Sequence, residues 1–353
     1  MKKLFSIKKM AGLLALRTVT LAAMIGLTAA SLAHAGTEQA VTWRQCAAIS
    51  VGLAPGQTAS YVVRGELYAT DDELLPGTTV QLLIHGATDK HDYWDFGRVD
   101  GITHSYAQDI AVHGFPAFEV DILGSGDRSD PLSDQLTVQT AAYVAHEIVQ
   151  GLRSGSITGV QFGRVIAVGR SSGSAVVWKE ATTYGDVDGV ILTGVAHSLA
   201  TRFWELAKTD FYPAIDDPKF SSSHLDADYL NTVAGTSAPI RVPVLAILGS
   251  DDAPTCGPNT AGGNFDCSLS AVVAATQDAP FYWPQARIHA CVVPASGHDV
   301  SLAVNRGLQV ADAVAWSSAF VGQYRFGERR YFDDLDHDEN SLPGNGGLPW
   351  NCS

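Results

Sequence analysis

A serine flanked by glycines is the residue of this chain whose type and spacing most directly suggest chemistry. Residues 169–173 read GRSSG, after an apolar VIAV and before a stretch of helical character. A G-x-S-x-G segment between a strand and a helix is typical of a tight turn that exposes a nucleophilic hydroxyl above a sheet. Bulky neighbours would collide at such a turn, so glycines are needed on either side. The pattern predicts that Ser171 is a nucleophile.

A serine hydroxyl requires a general base, and the base requires an acid that orients it. His298, in PASGHDV, follows the eighth predicted strand, from which a loop can return its imidazole to the turn. The acid is expected after the seventh strand, where LAILGSDDAP offers two carboxylates, and Asp252 is favoured over Asp251. The chain order Ser171, Asp252, His298 is the one expected for this kind of turn. These three residues form the predicted catalytic set.

An acyl-transfer site also needs two N–H donors for the oxyanion. One is expected from the backbone of Ser172, which follows the nucleophile at a helix N-terminus. The other is expected from the loop after the third strand, where His85, Gly86 and Ala87 occur in sequence. Gly86 permits close approach of the backbone, and the N–H of Ala87 is the predicted second donor.

The elements that must position these residues are eight predicted strands. The first two alternate in polarity, which suits an antiparallel hairpin at a sheet edge, whereas the later ones are continuous apolar runs typical of parallel strands covered on both faces. The predicted strands are 41–53, 60–68, 78–85, 117–123, 164–169, 187–195, 242–249 and 287–294. Because strands alternate with helices, we expect an open, mostly parallel α/β sheet.

Helices are predicted over 134–152, after Ser172 and over 300–320. Two intervals, 199–241 after the sixth strand and 253–286 after the seventh, are longer than a crossover requires. Both leave from carboxyl ends of strands, where ligands bind in such sheets. They are either cap insertions over the site or ordinary surface elaboration.

The first 35 residues are predicted to be a signal peptide. A basic start, an apolar run and the small-residue sequence Ala-His-Ala before Gly36 favour cleavage after Ala35. Residues 36–353 would then be a single domain, secreted or periplasmic, and without stable membrane insertion. Loss of the five basic leader residues would change the formal net charge from −14 to −19. Such an acidic surface disfavours nucleic acid as a partner.

All five cysteines lie in the predicted exported part, where disulfides are permitted. Cys256 and Cys267 flank a loop and are the favoured pair. Cys46 and Cys352 could join the two ends, leaving Cys291 as a buried thiol, but connectivity stays open at this point. No C-x-x-C or Cys/His spacing supports a metal site, so no metal or other cofactor is predicted.

Several motifs, taken together and in order, resemble the α/β-hydrolase superfamily over roughly residues 80–302. They are HGAT with YWDF, D-x-x-G-x-G at 121–126, GRSSG, LGSDD and SGHD. The chain departs from the usual pattern at Asp127 and Arg128, one residue more than usual before Ser129, and at Arg170, where histidine is frequent. The resemblance implies an eight-stranded, mostly parallel α/β-hydrolase sheet flanked by helices. It also implies a secreted serine esterase or lipase that works through an acyl-enzyme.

The substrate is described only by class. Trp94 and Tyr93, with Phe96, are candidates for an apolar substrate pocket or else belong to the core, and Arg170 either contacts substrate or packs at the sheet edge. A small-molecule or polymeric ester is the expected partner. An amide, a lactone or a β-diketone C–C bond would suit the same triad, and a catalytically inactive binding protein is a further alternative. The oligomeric state is left open.

Overall fold

An eight-stranded sheet forms the frame of this protein. The computed structural model describes residues 41, 43–70, 74–86, 89–99, 101–124, 135, 137–195, 240–252, 255, 267 and 282–323, and the statements below concern these residues. Their strands are β1 (Trp43–Val51), β2 (Tyr61–Ala69), β3 (Thr79–Ile84), β4 (Asp95–Val99), β5 (Ile102–Ser105), β6 (Ala117–Val120), β7 (Arg164–Arg170), β8 (Gly189–Thr193), β9 (Val244–Gly249) and β10 (His289–Val293). Their helices are α1 (Tyr106–Ala111), α2 (Val138–Ser154), α3 (Ser172–Thr183) and α4 (Gly307–Phe320).

The order of strands in the main sheet is β1-β2-β6-β3-β7-β8-β9-β10. β2 runs antiparallel to both of its neighbours, and every other pair in this sheet is parallel. This confirms the predicted edge hairpin and the mostly parallel sheet. Ile84 pairs with Gly169, and Arg170 pairs with Thr193. The carboxyl ends of β3, β7 and β8 therefore meet at one edge, where ligands bind in sheets of this type.

Both faces of the central strands are buried. In β7, Val165 and Ala167 pack into the cluster that contains side chains of α2 and α3, whereas Ile166 and Val168 pack into the cluster that contains side chains of α1 and α4. Successive strand residues point to opposite faces, so a strand covered on both sides must be apolar throughout. Burial of each aliphatic side chain stabilises the folded state by about 1.5–3 kcal/mol. This explains why the sequence of β7 shows no alternation.

The sequence did not predict the small hairpin β4–β5 or the short helix α1. β4 reads DFGRV and is largely exposed, so it lacks the apolar run that marks a buried strand. The third predicted helix, 300–320, is interrupted: a 3₁₀ turn spans Val300–Leu302, Ala303 is extended, and α4 begins at Gly307. The side chain of Asn305 accepts a hydrogen bond from Ser296, and this tie between the interrupting segment and the preceding loop accompanies the break.

The cysteines differ in part from expectation. Cys46 is a free, exposed thiol, which excludes the alternative in which it pairs with Cys352. Cys291 is disulfide-bonded, which corrects the expectation of a buried thiol, and Cys267 is disulfide-bonded as well. Cys256 lies outside the described residues, so its pairing with Cys267 stays a prediction.

Other expectations also fall on residues that the structure does not describe. These are the signal peptide 1–35, almost all of the interval 199–241 and most of 253–286. Within the described residues, no helix is both long enough and apolar enough to cross a bilayer.

Candidate active site

Ser171 lies at the sharp turn between β7 and α3. Its backbone has φ 52° and ψ −118°, a conformation that a residue with a side chain rarely adopts. The strain costs on the order of 1–3 kcal/mol and persists only where the surrounding structure enforces it. Such strain clusters at functional sites, and here it falls on the predicted nucleophile.

The glycines on either side of Ser171 are required by close packing. A Cβ on Gly173 would lie 2.4 Å from the carbonyl oxygens of both Ile84 and His85, and a Cβ on Gly169 would lie 2.5 Å from Cα of Ser174. These are backbone atoms, which cannot move without shifting the strand or helix to which they belong. The glycine spacing seen in the sequence therefore reflects the approach of α3 to β7 and to the end of β3.

The neighbouring strand β8 forms hydrogen bonds with the turn through Thr193. The N–H of Ser171 donates to the carbonyl of Thr193 at 2.9 Å. The buried hydroxyl of Ser174 donates to the same carbonyl at 3.0 Å and accepts from the N–H of Thr193 at 3.2 Å. These bonds fix the turn to the sheet and so fix the position of the Ser171 hydroxyl.

The structure brings Ser171, His298 and Asp252 together in one hydrogen-bonded chain. Nε2 of His298 lies 2.9 Å from Oγ of Ser171, and Nδ1 of His298 lies 2.9 Å from Oδ1 of Asp252. An ionised carboxylate can only accept, so the imidazole proton lies on Nδ1 and Nε2 accepts from the serine hydroxyl. All three side chains are buried. This geometry permits Nε2 to take the hydroxyl proton during nucleophilic attack.

The two adjacent aspartates have different surroundings. Asp252 is fully buried, and its Oδ1 also accepts from the N–H of Thr255 at 3.1 Å. Asp251 is exposed, and its carboxylate accepts from the hydroxyl of Ser250. Only Asp252 of this pair contacts His298. The ring of His298 also packs over Gly194, where a Cβ would lie 3.0 Å from Cε1.

The loop after β3 is organised by the imidazole of His85. Its Nε2 accepts from the N–H of Ile122 at 3.0 Å, so its proton lies on Nδ1, which donates to the carbonyl of Gly86 at 2.7 Å. Burial lowers the pKa of His85, in agreement with a neutral ring that serves both bonds. The N–H of Asp89 donates to the carbonyl of Gly86 at 3.3 Å. Ala87, the predicted second oxyanion donor, lies between them and outside the described residues.

The first predicted oxyanion donor, Ser172, is the first residue of α3. The N–H groups of the first helical turn have no acceptor within their own helix. The amide of Ser172 thus belongs to the set of donors that a helix N-terminus offers to a negative charge.

Arg170, for which substrate contact and packing at the sheet edge were the two alternatives, has a buried side chain in this structure. Its side chain is 1% exposed and forms ion pairs with Asp89, at 2.6 Å, and with Asp299. The guanidinium also lies over the ring of Tyr93, 5.1 Å from its centroid. The sequence could not reveal these partners, because they lie on two other loops.

Tyr93 and Trp94 belong to the core. Both are almost completely buried, and Trp94 packs against Tyr93 and Tyr106 with ring centroids 5.0 and 5.2 Å apart. Neither has surface open to a substrate in this structure, so the core interpretation describes them. Phe96 is exposed.

Two groups of buried and partly buried acids and histidines do not include Ser171, His298 or Asp252. One contains Glu66, His91 and Glu119, the other His146, Glu180 and Asp186, and in each the candidate ligand atoms lie within 4.8 Å of one another. Internal bonds account for part of both groups: Tyr68 donates to Glu119 at 3.0 Å, and His146 Nδ1 lies 2.7 Å from Asp186. Sequence analysis missed them because no local spacing signals either group.

The α/β-hydrolase fold is defined here by three features: the order of the strands, the turn at Ser171, and the positions of Asp252 after β9 and His298 after β10. The solved structure of a monoglyceride lipase shares it. A monoglyceride lipase from Saccharomyces cerevisiae has a TM-score of 0.50 and 14% identity, over 76% of this chain and 95% of that one. An N-acyl homoserine lactonase has a TM-score of 0.48 and 15% identity, over 80% and 100% of the two chains. A monoacylglycerol lipase from Paleococcus ferrophilus has a TM-score of 0.47 and 15% identity, over 68% and 95%.

At 14% identity, the similarity to the Saccharomyces cerevisiae monoglyceride lipase establishes the fold alone. No protein-family model matches the chain. No curated protein matches it either.

Proposed function

We propose that this protein is a secreted serine hydrolase that cleaves carboxylic esters through an acyl-enzyme. One observation carries the proposal: Ser171, His298 and Asp252 form a buried, hydrogen-bonded chain at a strained turn. A hydroxyl held at hydrogen-bond distance from a neutral imidazole, itself held by a carboxylate, is the arrangement that activates a serine nucleophile.

In the proposed reaction, Oγ of Ser171 attacks the carbonyl carbon of the ester while Nε2 of His298 takes the hydroxyl proton. The tetrahedral intermediate collapses, the ester C–O bond breaks, and the alcohol leaves with the proton from His298. Water then attacks the acyl-enzyme, again giving its proton to His298, and the carboxylic acid is released as Oγ is reprotonated. Asp252 keeps the ring oriented and stabilises the imidazolium that forms in both halves.

The oxyanion is assigned to the N–H groups of Ser172 and Ala87. Support for Ser172 comes from its place at the start of α3, where the helix dipole favours negative charge. The assignment of Ala87 rests on the sequence pattern HGAT after β3. Donors of this kind are worth about 10²–10³-fold in kcat each.

The choice of an ester rests on the motif resemblance, because the same three residues can cleave an amide, a lactone or a C–C bond next to a carbonyl. Export rests on the N-terminal sequence. Edman sequencing of protein recovered from outside the cytoplasm is expected to begin at Gly36, and recovery only in the cytoplasm with Met1 intact would contradict export.

The central test compares Ser171→Ala with the wild type on p-nitrophenyl esters of graded acyl length. We expect turnover by Ser171→Ala to be several orders of magnitude below that of the wild type, and undiminished turnover would contradict the proposal. Ser156→Ala is the matched control: Ser156 is exposed and precedes the amino end of β7, whereas Ser171 follows its carboxyl end. The control should retain wild-type turnover.

A fluorophosphonate probe separates the enzyme from an inactive protein of the same fold. Mass spectrometry should find the adduct on Ser171 of the wild type. Absence of an adduct would favour the binding-protein alternative.

A further inference from the structure

We propose that Arg170 is a positioning residue that joins the loop after β3 to the loop carrying His298, and so keeps both aligned with Ser171. The inference rests on the proposed function, since it concerns the same site. It assigns a role to the variable residue of the GRSSG segment that precedes the serine.

The guanidinium of Arg170 connects three parts of the chain. It extends from the last residue of β7, directly before Ser171. Nη1 donates to Oδ2 of Asp89 at 2.6 Å, and Nη2 donates to Oδ1 of Asp299. Asp89 lies in the loop after β3, and Asp299 is the residue after His298. One side chain thus links the nucleophile's strand to the two loops on which the other site residues are expected.

A buried guanidinium requires this pairing. The side chain of Arg170 is 1% exposed, whereas those of Asp89 and Asp299 are 22% and 32% exposed. Moving an unpaired cation from water into such a site costs several kcal/mol, so the two carboxylates are needed to hold the charge there. The flat fork of arginine can reach two carboxylates at once, which the point charge of lysine cannot do with the same geometry.

Arg170 also determines how closely the loop after β3 can approach. A Cβ on Gly86 would lie 2.2 Å from Nη1 and 2.9 Å from Cδ of Arg170, so the guanidinium packs directly against the backbone of Gly86. The centroid of the Tyr93 ring lies 5.1 Å from Cζ of Arg170. Arg170 therefore contacts both Gly86 and Asp89, which are themselves joined by a backbone hydrogen bond.

The contact with Asp299 acts on His298 through the backbone. Asp299 directly precedes the 3₁₀ turn Val300–Leu302, and its backbone carbonyl accepts from the N–H of Leu302 at 3.0 Å. A shift of Asp299 therefore moves the adjacent imidazole relative to Ser171. A misplacement of about 1 Å is enough to cost on the order of 10²-fold in rate.

The test measures the rate at which a fluorophosphonate labels Ser171, together with kcat and KM on a short p-nitrophenyl ester. The variants are Arg170→Met, Arg170→Lys, Asp299→Asn and the double variant Arg170→Met/Asp299→Asn. We expect labelling rate and kcat to fall about 10–100-fold in Arg170→Met with KM changed by less than about threefold. Arg170→Lys should recover only part of the loss. Because the two residues act through one contact, the double variant should lose little more than Arg170→Met alone.

The matched control is Arg153, another arginine that links distant parts of the chain through a carboxylate and a backbone carbonyl. Arg153 pairs with Asp188 at 2.5 Å and also donates to the carbonyl of Asp186. It lies at the end of α2, and Asp188 precedes the amino end of β8, away from Ser171. Arg153→Met should lower the midpoint of urea unfolding without changing the labelling rate of the folded protein.

Each outcome has one meaning. If the wild type is not labelled at all, the proposed function fails, and this inference fails with it. If the wild type is labelled and folded Arg170→Met reacts at the same rate, the proposed function stands and the role of Arg170 is overturned. Should Arg170→Met not fold, Arg170→Lys and Asp299→Asn decide: wild-type labelling rates in both would overturn the inference.

Discussion

Oδ1 of Asp252 lies 2.9 Å from Nδ1 of His298, while Asp251, the residue before it, is exposed and makes no contact with that ring. The buried carboxylate fixes which nitrogen carries the proton, and so leaves Nε2 to face Ser171. Two adjacent aspartates thus differ in burial and in contact with His298. This difference offers a controlled experiment.

Replacement of Asp252 by Asn should lower kcat by roughly 10⁴-fold, because an amide that donates to Nδ1 favours the wrong imidazole tautomer. Asp251→Asn makes the same replacement of a carboxylate by an amide at the exposed neighbouring residue, and its kcat should stay within about twofold of the wild-type value. Steady-state kinetics on a p-nitrophenyl ester would measure both. Equal losses in the two variants would contradict the assignment of Asp252.

Gly173→Ala should destabilise the protein by about 1–3 kcal/mol and abolish most turnover. The added Cβ would lie 2.4 Å from two backbone carbonyl oxygens at the end of β3, so α3 must move away from the sheet and carry the turn at Ser171 with it. Gly307→Ala is the control, because a Cβ there meets nothing within 4 Å and alanine favours the helix. Urea unfolding and turnover measure the effects. A Gly173→Ala protein as stable and active as the control would show that the packing is looser than described.

Glu119 should make the protein less stable as pH rises. Burial raises its pKa from 4.5 to about 9, with further contributions from the negative charges of Asp95 and Glu66. Between these two values the folded protein keeps a proton that the unfolded chain has released, so the free energy of unfolding falls by up to about 1.4 kcal/mol per pH unit. Below pH 4.5 both states hold the proton and the contribution is constant.

Glu119→Gln removes this titration and should flatten the decline in stability between pH 5 and 9. Urea unfolding at several pH values would measure the change, and the advantage of the variant over wild type should grow with pH. Glu147→Gln is the control, since Glu147 is exposed on α2. Parallel pH curves for wild type and Glu119→Gln would refute a protonated Glu119.

Trp94→Phe tests whether this aromatic residue belongs to the core or to a substrate pocket. The indole is fully buried against Tyr93 and Tyr106, so the smaller ring should cost about 1–3 kcal/mol of stability and leave KM unchanged. Thermal unfolding and KM values for short and long acyl esters provide the measurement. A large change in KM with unaltered stability would instead favour a substrate contact.

Much of the fold could be read from local pattern. The two strands of the edge hairpin were predicted from alternating polarity, and the other six strands of the main sheet were predicted because buried strands are short apolar runs bounded by turn residues, as in β7. The hairpin β4–β5 was missed because its exposed, polar sequence resembles a loop. The helix predicted over 300–320 was too long: the break before Gly307 coincides with a bond from Ser296 to Asn305, which helical periodicity does not reveal.

By itself, the sequence determined the nature of the site: a serine between spaced glycines after an apolar strand, then an acid and a histidine after later strands in a fixed order. Those signals are local, since turn geometry and strand order constrain residue type at each position. Only the tertiary structure decided that Asp252 and not Asp251 contacts His298, and that the buried Arg170 pairs with Asp89 and Asp299. Arg170 and Asp299 are 129 residues apart in the chain, and their contact depends on strand register and loop packing that no local pattern encodes.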